Sequence, residues 1–179
     1  TTLFVDASGQ LTIDTSFVLD SVSDNNIDSV WLSQTDFDCL AIGVPTTVTI
    51  YAMDSLGQID SCSSNLTVID TVAPAVSCQN ITIQLDASGN VTIVAGDVDN
   101  GTTDNCQIQT LILSQSTFDC SMLGDNNVTL VATDIYGNVG QLSQSLSVDR
   151  SGPTVTINNP TSGEYIGPQF QINVDVTDL

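Results

Sequence analysis

The chain has 179 residues and a formal net charge of −20, because 21 acidic residues face one basic residue and histidine is absent. A nucleic-acid-binding groove needs lysine and arginine to replace the counterions around phosphates, so this charge excludes that function and argues against docking on anionic lipid. No apolar run approaches the roughly 20 residues that cross a bilayer, so we expect no membrane insertion in this segment. Hydrophobic residues make up 41% of the chain, enough for packed cores.

The sequence repeats itself at a spacing of about 80 residues. The matching segments are 6–9 with 86–89, 24–25 with 104–105, 32–39 with 113–120, 48–57 with 128–137, and 70–74 with 149–153. Such a spacing is too long for a solenoid repeat and predicts two tandem copies of one domain. We call residues 1–74 the first copy and residues 75–153 the second copy.

Each copy shows the period-two alternation of β-strands. In the first copy, Trp31 falls on a mid-copy strand, where we expect it to pack in the core or half-buried against it. In the second copy, apolar residues alternate at 81–85, a turn is predicted at 86–89, and the alternation resumes at Val91 and Ile93, which predicts a hairpin. A second alternating run, 128–132, leads into another predicted turn at 134–138.

The predicted fold class is all-β, because no stretch has a convincing helical period and several short strands fit within each copy. We expect tandem Ig-like β-sandwich domains in an elongated chain, at 1–74 (with its N-terminal strand truncated) and at 75–153. After Pro153 the pattern changes, and residues 154–179 look like the start of a third, different Ig-like domain. The first residue is threonine and the last lies in an apparent strand, so we expect a fragment of a longer protein.

Several motifs occur together in the second copy. They are Asp104-Asn105-Cys106, Leu113-Ser114-Gln115, Phe118-Asp119-Cys120, residues 128–134, Gly137-Asn138 and, between the copies, the linker at 70–74. In this combination, residues 1–153 resemble the HYR-like, Ig-fold repeats of large Bacteroidetes cell-surface proteins, including gliding-motility adhesins. The resemblance implies secretion, often by the type IX route, display on the cell surface, and an adhesive or stalk role. It does not fix a ligand.

The five cysteines have no CxxC spacing, and without histidine a zinc site is not expected, so they indicate disulfides in an extracellular, oxidising setting. HYR-like repeats tend to carry four cysteine positions, which are only partly filled in each copy. If partners are gained or lost together, the resemblance implies the pairs Cys39–Cys62 and Cys78–Cys106, with Cys120 unpaired. The alternatives are a Cys106–Cys120 bond that leaves Cys78 free, and thiols that pack as small apolar groups.

The densest acidic loop contains Asp97, Asp99 and Asp104. Aspartates at positions i and i+2 put two carboxylates on one side of a loop, and Gly101 permits a sharp bend, an arrangement that suits calcium because this hard cation takes six to eight oxygen ligands. The spacing is not that of an EF-hand.

The junction between the copies is a second candidate metal site. Two linker residues, Asp70 and Asp149, and two turn residues, Asp54 and Asp134, are expected to meet near domain ends. Related extracellular Ig-like chains stiffen such junctions with calcium, which is therefore the expected cofactor. The alternative is that all these aspartates are turn formers and solubilising charges.

Modification sites follow from the resemblance. Asp-Ser or Asp-Thr followed by an apolar residue matches the acceptor pattern of Bacteroidetes O-glycosylation, which makes a glycoprotein the expectation. The candidate acceptors are Ser21, Ser29, Ser55 and Thr71.

We expect no enzyme, because a serine nucleophile needs a base such as histidine or lysine and the chain has neither. The expected function is a structural or adhesive repeat segment, an adhesin stalk or filament, whose partners are neighbouring repeats of the same chain. The alternative is an accessory module of a secreted hydrolase whose loops bind polysaccharide or another cell surface. Aromatic residues make up only 5% of the chain, which favours the stalk because carbohydrate sites usually expose aromatic rings.

Overall fold

The computed structural model describes residues 1–21, Ser23 and 26–149, together with the backbone of two strands at 154–159 and 173–177. This part of the chain is all-β, as predicted. Its helical structure is confined to one turn at Ala95–Val98 and three 3₁₀ turns, Thr15–Phe17, Cys39–Ala41 and Cys120–Met122. None of these helices is long or apolar enough to cross a membrane.

The described residues of the first copy form six strands in two sheets. The strands are β1 (Thr2–Phe4), β2 (Gln10–Thr12), β3 (Ile27–Leu32), β4 (Asp36–Asp38), β5 (Thr46–Asp54) and β6 (Ile59–Ile69). The larger sheet has the order β1-β6-β5-β3, with β1 parallel to β6, and β2 pairs antiparallel with β4 in the smaller sheet.

The second copy repeats this arrangement. Its strands are β7 (Thr82–Gln84), β8 (Asn90–Thr92), β9 (Ile108–Leu113), β10 (Thr117–Asp119), β11 (Gly124–Asp134) and β12 (Val139–Asp149). The sheet orders are β7-β12-β11-β9 and β10-β8, and β7 runs parallel to β12 as β1 does to β6. The sequence repeat is therefore also a repeat of the Ig-like sandwich fold.

The core of the first copy lies between its two sheets. Val48 on β5 and Val68 on β6 point inward and are buried, because the alternation along each strand puts every second side chain on the core face. Phe37 on β4 covers them from the smaller sheet. Burying side chains of this size stabilises the fold by about 1.5–3 kcal/mol each. The second copy buries the equivalent Phe118 and Val148.

The predicted hairpin around residues 86–89 is wrong. The turn forms, with the Gly89 backbone N–H donating to the Asp86 carbonyl at 2.9 Å, but β7 pairs with β12 and β8 pairs with β10. The turn therefore carries the chain from one sheet to the other. Turn chemistry is the same in both cases, which is why the sequence pattern did not separate a hairpin from a crossing between sheets.

The chain divides into two compact units, and residues of the second copy belong to both of them. The first unit is Thr1–Gln79, Val94–Gln115 and Val128–Gln144, and the second unit is Asn80–Ile93, Ser116–Asn127 and Ser145–Leu179. Each of the sheets above falls within one predicted domain range, but the units do not follow the boundary at residue 74. The ranges 1–74, 75–153 and 154–179 stay predictions.

The last predicted domain is described only as two strands, β13 (Thr154–Asn159) and β14 (Asn173–Thr177). They pair antiparallel, with Val155 opposite Val176.

Candidate metal centre

Three aspartates meet in the first unit. Asp70 follows β6 directly, Asp104 lies in the loop before β9, and Asp134 ends β11. One carboxylate oxygen from each lies within 4.8 Å of the others. Asp70 is 7% exposed and Asp134 is fully buried, which is unusual for carboxylates.

Asp134 sits here because it starts a turn. Its Oδ1 accepts the backbone N–H groups of Tyr136 and Asn138, both at 2.8 Å, and Gly137 has the positive φ of 93° that this turn needs. Its Oδ2 accepts the side-chain amide of Asn138 at 2.7 Å. The same amide donates to the Asp70 carbonyl at 3.3 Å and so connects the turn to the linker.

Asp70 is held through one of its two oxygens. Oδ1 accepts the Val72 backbone N–H at 2.9 Å and the Asn105 side-chain amide at 3.2 Å. Oδ2 is buried and has no hydrogen-bond partner among the described residues.

Asp104 and Asn105 show the same division. Asp104 Oδ2 accepts the backbone N–H groups of Cys106 and Gln107, both at 3.0 Å, whereas its Oδ1 is buried and unpartnered within the described chain. Asn105 donates its amide to the Asp6 carbonyl and to Asp70, which fixes the orientation of the amide because both partners are acceptors. Its Oδ1 is therefore a third buried oxygen that the described part of the chain leaves without a donor.

No basic side chain balances these carboxylates within the described residues. The sequence has one basic residue, Arg150, which lies outside them, and the N-terminal ammonium group donates to the Asn65 carbonyl. The uncompensated negative charge affects Tyr136, whose pKa is raised first by burial and then by the carboxylates of Asp70, Asp134 and Asp38. Buried charges in proteins are normally paired or bound to metal.

The remaining predicted metal ligands lie elsewhere. Asp97 accepts the Val94 backbone N–H at the start of the single-turn helix. Asp99 accepts the Thr102 hydroxyl and backbone N–H, and the hydroxyl hydrogen bond lowers the pKa of its carboxyl group. Asp54 accepts the N–H groups that close the β5–β6 turn. Asp149 ends β12, where its carbonyl accepts the Leu85 N–H.

The disulfide differs from the predicted pairs. Cys39 is bonded to Cys106, so Cys39–Cys62 and Cys78–Cys106 are wrong, and the alternative Cys106–Cys120 is not formed either. Cys62, Cys78 and Cys120 are free thiols. The prediction assumed that both cysteines of a pair lie in the same copy, whereas this bond joins the first copy to the second.

The junction is also tightly packed. A Cβ added to Gly9 would lie 2.7 Å from both the Cys39 Sγ and the Asn105 carbonyl oxygen, and one added to Gly140 would lie 2.1 Å from the Pro74 carbonyl oxygen. No side chain fits at either position without movement of the backbone. Sequence reasoning missed these two glycines and the role of Asn105, although Asn105 belongs to a motif that recurs in both copies.

The outer face of the first copy carries a stacked aromatic pair. Trp31 on β3 pairs with Tyr51 on β5, and their rings stack with centroids 5.4 Å apart. Trp31 is 38% exposed, so it lies outside the core and packs at the surface against Tyr51. The equivalent residues of the second copy are Ile112 and Val131.

The predicted glycosylation sites remain predictions. The structure places Ser21, Ser55 and Thr71 on the surface and Ser29 half-buried on β3.

No family model and no curated protein matches this chain. Among solved structures it is similar to the fibronectin(III)-like modules of Clostridium thermocellum CbhA, with 14% identity over 83% of this chain and 89% of that chain and a TM-score of 0.29. It is also similar to human mucin-like protocadherin EC1-2 (12% identity, 80% and 85% covered, TM-score 0.34). For the protocadherin gamma B2 extracellular cadherin domains 3-6 the identity is 16%, with 99% and 53% covered and a TM-score of 0.32. Similarities at this level do not assign a function.

Proposed function

We propose that this chain is a non-catalytic structural and adhesive repeat segment of a large secreted bacterial cell-surface protein. The observation that carries the proposal is the Cys39–Cys106 bond, which joins the first copy to the second. A disulfide that stabilises a single domain closes a loop within it, whereas this one makes neighbouring repeats each other's partners. That arrangement suits a stalk whose repeats must keep their positions.

The finer parts of the proposal come from the resemblance to HYR-like repeats. They are secretion by the type IX route, display on the cell surface, a role in gliding or adhesion, and O-glycans on Ser21, Ser29, Ser55 and Thr71. The disulfide supports an extracellular location, because such bonds persist in oxidising compartments.

Antibody labelling of intact cells tests the proposal. An antibody raised against the 179-residue chain should label unpermeabilised cells, and deletion of the gene segment should weaken attachment without loss of a secreted enzyme activity. Labelling that requires permeabilisation would contradict the proposed location. Unchanged attachment after deletion would contradict the adhesive role.

A second candidate is favoured by the Trp31–Tyr51 stack. An exposed aromatic face is a common platform for sugar rings, which would make the chain a glycan-binding accessory module of a hydrolase. A glycan array with the intact chain separates the two candidates. Binding that is lost in Trp31→Ala and kept in Ile112→Ala, its equivalent in the second copy, would support the accessory module, and absence of binding would leave the stalk.

A further inference from the structure

We infer that Asp70, Asp104 and Asp134, with Asn105, form a binding site for one calcium ion that ties the linker after β6 to the loop before β9 and to the β11–β12 turn. The mechanical use of this ion rests on the proposed function, whereas its binding does not. We call these four residues the junction site.

The first argument is that two of the carboxylate ligands are already oriented. In both Asp70 and Asp104 one carboxylate oxygen accepts two N–H groups, at least one of them from the backbone. The other oxygen, Oδ2 of Asp70 or Oδ1 of Asp104, is buried and unpartnered within the described chain. Metal-binding carboxylates are typically held in this way, because a hydrogen bond to one oxygen aims the other. A turn-forming aspartate such as Asp54 needs no second, buried oxygen.

The second argument is charge. The junction site brings three carboxylates together, two of them buried, and the only basic side chain of the sequence is Arg150. Among the residues that the structure describes, no basic side chain neutralises the site through a salt bridge. A bound divalent cation would neutralise the site and would supply the missing partner to the buried oxygens at the same time.

The third argument concerns the identity of the ion. The donors are carboxylate and amide oxygens, and the nearby sulfurs of Cys39 and Cys106 are tied up in the disulfide, so a hard cation is favoured over zinc or copper. Calcium binds oxygens at about 2.3–2.6 Å, so two of its ligands can lie up to about 5.2 Å apart. The three carboxylate oxygens already lie within 4.8 Å of one another, so one ion can reach all of them.

The consequence is a second crosslink beside the disulfide. Asp104 and Asn105 immediately precede Cys106, so the bond to Cys39 and the ion would hold the same loop. Residues 70, 104 and 134 are far apart in sequence, and an ion that joins them holds three segments of the first unit at one point.

Calorimetric titration of the 179-residue chain with calcium tests the inference, with thermal unfolding in calcium and in chelator as a second measurement. The expected result is binding of one ion at the junction site and a higher Tm in calcium than in sodium chloride of matched ionic strength. The matched salt is needed because any electrolyte screens a net charge of −20. Equal Tm values in the two salts, or no measurable binding, would overturn the inference.

Asp104→Asn locates the ion. The asparagine oxygen can still accept the Cys106 and Gln107 N–H groups, so the loop is kept while a charge is removed, and we expect calcium affinity to fall about tenfold or more. Asp54→Asn is the matched control, because Asp54 is the first-copy equivalent of Asp134 and lies outside the junction site. Equal loss in both variants would contradict the assignment. If Asp104→Asn fails to fold, Asp70→Asn provides the second test: its amide oxygen can still accept the Val72 and Asn105 N–H groups, a charge is removed, and calcium affinity should fall in the same way.

The two proposals fail separately. Absence of calcium binding would remove the junction site and leave the disulfide-linked repeat segment intact. Unchanged cell attachment after deletion of the segment would remove the adhesive role and leave the binding isotherm unaffected.

Discussion

The Tyr136 hydroxyl donates a hydrogen bond to the backbone carbonyl of Cys39, 97 residues earlier in the chain. The Cys39 sulfur is bonded in turn to Cys106. The short 3₁₀ turn at Cys39–Ala41 is therefore held from its carbonyl and from its side chain by two different segments of the second copy. These two contacts connect the turn directly to the second copy.

Tyr136→Phe should destabilise the first unit. The variant keeps the ring and leaves the Cys39 carbonyl with only the Ile42 backbone N–H, at 3.4 Å, so we expect a loss of about 0.5–1.5 kcal/mol, measured by urea unfolding. Tyr51→Phe on the outer face is the control for loss of a tyrosine hydroxyl. A Tyr136→Phe variant as stable as the original protein would show that the hydrogen bond contributes nothing.

The disulfide can be mapped directly. Trypsin is of little use because the chain has one basic residue, so we suggest a protease that cleaves at aspartate, followed by mass spectrometry without reduction. The Cys39 and Cys106 peptides should be found joined. Alkylation before reduction should modify Cys62 and Cys120, which are exposed, faster than Cys78, whose thiol pKa is raised by burial and by Asp99. A peptide pair joining Cys39 to Cys62 would restore the sequence-based prediction.

Cys106→Ser should lower stability by about 4 kcal/mol in the chain-entropy description of a crosslink that spans 67 residues. The measurement is urea unfolding of the variant against the original protein. Cys62→Ser is the control, because this thiol is free and exposed, and it should unfold like the original. Equal stability of the two variants would contradict a structural role for the bond.

Gly140→Ala should be destabilising, because its new Cβ would lie 2.1 Å from the Pro74 carbonyl oxygen and the linker or β12 would have to move. Overpacking of this kind costs about 1–3 kcal/mol. The matched control is Gly96→Ala in the single-turn helix, where a Cβ would contact nothing within 4 Å. We expect that variant to be neutral or slightly stabilised, since alanine restricts the unfolded chain. Thermal unfolding of both variants decides the matter.

Ser88→Ala should raise the pKa of Asp86, which is lowered chiefly by the hydrogen bond from the Ser88 hydroxyl. A carboxyl group whose folded pKa is lowered stabilises the protein at pH values above about 3.9, its unfolded pKa, and this contribution disappears as the pH falls through the folded pKa. The variant should therefore be less stable than the original at neutral pH, and the difference should vanish in acid. NMR titration should show an unchanged pKa at Asp6, whose partner Ser8 remains.

The strands and turns, which depend on neighbouring residues in the sequence, were predicted correctly from sequence patterns. The alternation around Val48 and Val128 and the turns at Asp54 and Asp134 indicated an all-β repeat, and the structure confirms the fold class. Asp70 and Asp134 were expected to meet at the junction and do, whereas Asp54 and Asp149 were expected there too and are not part of the cluster. The grouping of Asp104 with them was not predicted, because Asp104 was assigned to the loop of Asp97 and Asp99.

The Cys39–Cys106 bond could not be predicted from the spacing of the cysteines, because nothing in the sequence of either copy indicates that a cysteine pairs with one in the neighbouring copy. The missing information was three-dimensional. Because Gly9 has no side chain, the Cys39 sulfur can lie beside Asn105, next to Cys106, and the two cysteines come close enough to bond. The crossing at residues 86–89 was missed for a related reason, since a turn does not reveal which sheet receives the next strand.

Tension offers a different view of the same crosslink. If the two ends of the chain are pulled apart, the load passes from Cys39 to Cys106 through the sulfurs, and the residues between them stay slack. Straightening that stretch would otherwise release about 230 Å of contour length, at roughly 3.3–3.6 Å per residue. The crosslink keeps this stretch from extending until the disulfide is reduced, so redox chemistry sets part of the chain's reach under load.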